Sequence, residues 1–70
     1  MREYYFIVTL QWATRQGTQI SERRGTSRIS AGRSRQDAVE HLIRDVAAEA
    51  GAPANFVVLF LSLEPNEMAA

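Results

Sequence analysis

YYFIVTLQWATRQGTQ, Tyr4 to Gln19, decides the fold. Tyr4, Phe6, Val8, Leu10 and Trp12 recur at period two, with Tyr5, Ile7, Thr9 and Gln11 between them. That alternation is the signature of a strand with one buried face. Gly17 follows where a hairpin turn calls for positive φ, so the chain from Thr18 onward is expected to return antiparallel. With Gln16 and Gly17 as a two-residue loop, Tyr5 faces Arg28, Thr9 faces Arg24 and Gln11 faces Glu22, which makes one sheet face aromatic, polar and basic.

The returning segment is poor in apolar residues. Its large aliphatics, Ile20 and Ile29, stand nine positions apart and face opposite sides of a regular strand, and a bulge at Gly25 is expected to reconcile them.

Further along, Ser34 followed by Asp37 has the spacing of a capping box, with Asp in place of the usual Glu. An apolar stripe comes next at Ala38, Val39, Leu42, Ile43, Val46, Ala47 and Ala50. The pattern predicts a helix from about Arg35 to Ala50, closed by Gly51 at the left-handed cap position and by Pro53 just beyond. FVVLFLSL, Phe56 to Leu63, then reads as a strand that is apolar on both faces. A lone helix covers only one of them. In a regular strand, either Phe56, Val58 and Phe60 or Val57, Leu59, Leu61 and Leu63 need other cover.

The order strand, strand, helix, strand implies an α+β fold, ββαβ, in which a three-stranded antiparallel sheet of order 2-1-3 carries one helix on one face. Residues 1–64 form the expected single domain, and 65–70 the expected loose tail.

At 70 residues the chain buries little of its surface, and it has no cysteine with which to staple the fold or build a thiolate zinc site. A partner chain is the common remaining stabiliser. A homodimer is therefore expected, with Val57, Leu59, Leu61 and Leu63 as its candidate interface. No apolar run is long enough for a membrane span, and MREYYFIVTLQW lacks a small-residue cleavage site, so a cytoplasmic location without membrane association is expected.

Charge is unevenly laid out. Residues 1–36 hold seven arginines against Glu3 and Glu22, for a net +5, and residues 37–70 hold Arg44 against six carboxylates, for a net −5. Such asymmetry points to nucleic acid or to association of opposite patches. All eight basic residues are arginine, as the coding bias of a GC-rich bacterial genome or a demand for planar, bidentate donors would produce.

Nothing in the chain supplies a nucleophilic triad, because the sole histidine, His41, lies in mid-helix and no serine sits in an elbow motif. Asp37, His41 and Asp45 share a helical face, but eight residues rise about 12 Å, too far for one metal ion. A His41–Asp45 surface pair and a Glu40–Arg44 helix pair are the simpler expectations. The four glycines form no phosphate-binding loop. The chain is thus expected to be neither enzyme nor cofactor binder.

What remains is ERRGTSRISAGRSR, Glu22 to Arg35, with five arginines against one acid. Arg23, Arg24, Arg28, Arg33 and Arg35, with Tyr5 as a stacking ring, are the candidate nucleic-acid contacts. The same arginines also serve as charges that keep an edge strand from pairing, or as a surface for an acidic protein partner. Two functions follow: a small homo-oligomeric interaction or regulatory module with a basic hairpin, or a nucleic-acid-binding accessory protein.

Overall fold

Strand β1 (Arg2–Thr14) is the middle of the sheet in a computed structural model that describes residues 2–67. It pairs antiparallel with β2 (Gly17–Ile29) on one side and with β3 (Val57–Pro65) on the other, so the sheet order is 2-1-3 and the sheet is open. Helix α1 (Arg35–Ala50) packs on one face. The α+β architecture expected from the periodicity is the one observed.

The apolar face of central β1 carries the core. Val8 and Leu10 are fully buried and Trp12 nearly so, and they meet Leu42, Val46 and Ala47 of the helix and Leu63 of β3. Tyr4 and Phe6 extend the same face and are partly buried. Ile29 packs against this core while Ile20 lies exposed on the opposite face, as their odd spacing requires of a regular strand.

The helix ends are fixed locally. Ser34 Oγ accepts the Asp37 amide at 3.1 Å. At the other end Gly51 turns left-handed at φ 72°, its N–H donating back to Ala48 while the Ala52 N–H donates to Ala47 at 2.9 Å. These two bonds satisfy carbonyls that a helix end otherwise leaves bare.

Three expectations are corrected. The hairpin loop is Arg15–Gln16 rather than Gln16–Gly17, and the register slips by two: Tyr5 faces Thr26, Thr9 faces Glu22 and Gln11 faces Ile20. Neither loop residue has positive φ, so the reversal is completed at Gly17, φ 129°, which begins β2 and pairs with Thr14. Thr14 Oγ1 locks the turn, accepting from the Gln16 amide and donating to the Gly17 carbonyl, both at 3.2 Å. A slip of two keeps each side chain on its face, so the split of β1 into two faces is unaffected.

Gly25, the second correction, carries no bulge, since β2 pairs without interruption from Gly17 to Ile29. The irregularity lies in β3, where Thr9 faces Phe60 and Leu10 faces Val58, leaving Leu59 as the extra residue.

The third correction follows from that bulge. Because parity shifts by one at Leu59, Val58, Leu61 and Leu63 line the helix side, opposite Leu10, Val8 and Phe6. Val57 and Phe60 turn to the outer side, opposite Gln11 and Thr9. Neither of the two groupings expected for a regular strand is realised. Leu63 is 4% exposed and belongs to the core, and Leu61 packs partly against it, so of the four candidate interface residues only Val57 and Leu59 are exposed.

Pro65 closes β3, and Asn66 remains tied to β1, its amide donating to the Glu3 carbonyl at 3.0 Å and its Nδ2 to Glu3 Oε1 at 2.7 Å. The last part of the expected tail, 68–70, lies outside the described residues. Among those described, no helix is long and apolar enough to cross a membrane.

Candidate interaction surfaces

The sheet has an outer face with no helix over it, and the register lays that face out in rows. Ile20, Gln11 and Val57 form one row; Glu22, Thr9 and Phe60 the next; then Arg24, Ile7 and Ser62; then Thr26, Tyr5 and Glu64; and Arg28 stands opposite Glu3. Antiparallel sheets commonly face water in this way. The face runs from an apolar end near Val57 to a charged end of mixed sign.

The five arginines of the hairpin region do not form one surface. Arg24 and Arg28 share the outer face and flank Thr26, the partner of Tyr5. Arg24 Nη2 contacts Glu22 Oε2 at 2.6 Å, and Thr9 Oγ1 donates to the other carboxylate oxygen at 3.3 Å. The hydrogen bond from Arg24, followed by its charge, holds the Glu22 carboxyl below the usual glutamate range, and Arg24 is raised in turn. Desolvation is not the cause, because both groups stand in solvent.

Arg23 lies on the other side of the strand, opposite Val8, where its Nε reaches Glu49 Oε1 at 3.3 Å and its Nη1 donates to Ser21 Oγ and the Glu22 carbonyl. It joins hairpin to helix. Arg33 and Arg35 line a cleft of about 200 Å³ at the helix start, with Tyr4, Ile29, Ala38 and Leu63. That volume falls short of the roughly 300 Å³ where small-molecule sites begin. Asp37 sits in the same first turn and opposes an anion there.

On the helix, His41 Nε2 and Asp45 Oδ2 are 3.1 Å apart, the expected surface pair. Glu40 instead accepts from Gln36 Nε2 at 3.2 Å, and no Glu40–Arg44 contact forms among the described residues. Nor does any cluster of three His, Asp or Glu side chains with metal-binding geometry occur there.

The other surface is at the start of β3. Val57, Val58, Leu59 and Phe60 are consecutive, large and apolar, and their exposures are 53%, 39%, 52% and 53%. Single exposed apolar residues are ordinary on any protein, whereas contiguous exposed apolar patches are uncommon on soluble monomers. Val58 and Phe60 belong to the other alternating group, outside the candidate interface, and the structure exposes members of both groups. Comparisons with protein-family models, curated proteins and solved structures find no match to this chain.

Proposed function

We propose that this chain is a non-enzymatic interaction module that works as a homo-oligomer, with a homodimer as its simplest closed form. The observation that carries the reading is the exposed run Val57–Phe60. A 70-residue domain has only a few kcal/mol of stability to draw on, and each large apolar side chain left in water forgoes about 1.5–3 kcal/mol if fully exposed, and about half that here. Covering the run with a second copy recovers that stabilisation.

Phosphate binding is the second reading, favoured by Tyr5 standing between Arg24 and Arg28 on adjacent strands. Against it, Glu22 occupies Arg24, Glu3 faces Arg28, and Glu64 faces Tyr5.

Sedimentation velocity at micromolar concentration tests the first reading, with an expected mass of about twice the 7.9 kDa chain. A monomer throughout overturns it. Binding to duplex and single-stranded DNA and RNA across a salt series tests the second, since phosphate contacts lose affinity steeply as salt rises. Steep salt-dependent binding that weakens in an R24A/R28A variant would favour nucleic acid over self-association.

A further inference from the structure

We infer that the free edge of β2 takes up an extended acidic peptide as a further, antiparallel strand. The inference goes beyond the self-association reading above: it uses the opposite edge of the sheet and holds for a monomer or a dimer alike.

β2 is an outermost strand, and its 13 residues pair with β1 in unbroken register from Gly17 to Ile29. Every second residue of such a strand presents an unpaired N–H and C=O to solvent. Proteins commonly blunt an edge with a proline, a bulge, a short length or charge. β2 has no proline and no bulge and is as long as β1, so charge is the device it retains. That charge is Arg23, Arg24 and Arg28 against Glu22. It repels a second β2 and attracts a strand that carries carboxylates.

The placement of the arginines favours a peptide over a nucleic acid. Arg24 and Arg28 stand on the outer face, whereas Arg23 stands on the helix side. A phosphate backbone running over one face meets only part of this set, and on the outer face it also meets Glu22 and Glu64. An extended peptide alternates its own side chains between the two faces at the same period, so its carboxylates reach both sides. Exposed ion pairs hold weakly, so Arg23 and Arg24 can exchange Glu49 and Glu22 for incoming carboxylates. Arg28 makes no ion pair among the described residues.

The spacing along β2 then specifies the ligand. An antiparallel peptide whose first residue faces Arg28 meets Arg24 with its fifth, Arg23 with its sixth and Ile20 with its ninth. Carboxylates at the first three of those positions and an apolar side chain at the last give opposite-charge and apolar cross-strand pairs. The seventh residue faces Glu22 and must not be acidic.

A synthetic peptide of that pattern, rich in threonine and valine with glutamate at the three acidic positions, is titrated into the full chain at low salt beside a copy carrying glutamine there. By NMR, the glutamate peptide should slow hydrogen exchange at the β2 amides that point away from β1 and leave the outward β3 amides unchanged. It should bind about tenfold more tightly than the glutamine copy, and an R24E/R28E variant, altered at two exposed positions and folded by circular dichroism, should bind it about tenfold more weakly. No binding, equal affinity for the two peptides, or protection away from β2 overturns the inference. A single-stranded oligonucleotide that binds these arginines more tightly than the peptide overturns it in favour of nucleic acid. Sedimentation of the same protein without peptide keeps this result apart from self-association, whose failure leaves the β2 edge standing.

Discussion

The ring of Phe6 lies over Gly25 on the adjacent strand, with two ring carbons 3.5 Å from where a Cβ would stand. The pair is in register across β1 and β2 on the helix side, and the aromatic ring occupies space that the glycine leaves without a side chain. Because 3.5 Å is ordinary van der Waals contact and Gly25 has no positive φ, Gly25→Ala should fit and stabilise the fold by about 0.4–1 kcal/mol through the unfolded chain. Gly17→Ala is the opposite case: nothing crowds its Cβ, but φ 129° is strained for any L side chain, and a loss of about 1 kcal/mol or more is expected. Urea denaturation of the two variants should move the midpoint in opposite directions.

Ser34 holds one of the otherwise unpartnered N–H groups at the helix start. Ser34→Ala should cost about 1 kcal/mol, and Ser34→Asp should restore most of it, since aspartate accepts the same bond and suits the positive end of the helix. Thermal unfolding followed at 222 nm reads both. An S34A variant as stable as the parent would mean that the start of α1 is held by burial of Ala38 and Leu42 instead.

Glu22 should titrate below the ordinary glutamate range, and Arg24→Ala should bring it back up. The sign for stability follows from the depressed folded value: the Glu22–Arg24 interaction contributes at pH above the unfolded glutamate value and is lost as the pH falls through the lower, folded one. Carboxyl carbon shifts followed from pH 7 to pH 2 measure it directly. An unchanged Glu22 midpoint in R24A would show that the pair does not persist in solution.

Much of the architecture is local and was legible in the residues. The period-two face of β1, the limits of α1 at Arg35 and Ala50, and the left-handed cap at Gly51 each depend on neighbours a few positions away, so the pattern that forms them is written in the chain. The sheet order then follows from the hairpin and one crossover.

Tertiary structure decided which side chains of β3 face the helix and which face outward. The Leu59 bulge shows only in the pairing of β3 with β1, where it places Val58 and Leu61 on one side, and no local pattern encodes it. It set Val58 on the helix side with Leu61 and Leu63, and Val57 on the outer side with Phe60. The arginines were likewise adjacent in sequence but not in space, since neighbouring strand residues point to opposite faces: Arg23 goes to Glu49 and Arg24 to Glu22. The residues determined the elements and their charge, and only the pairing of strands determined the surface.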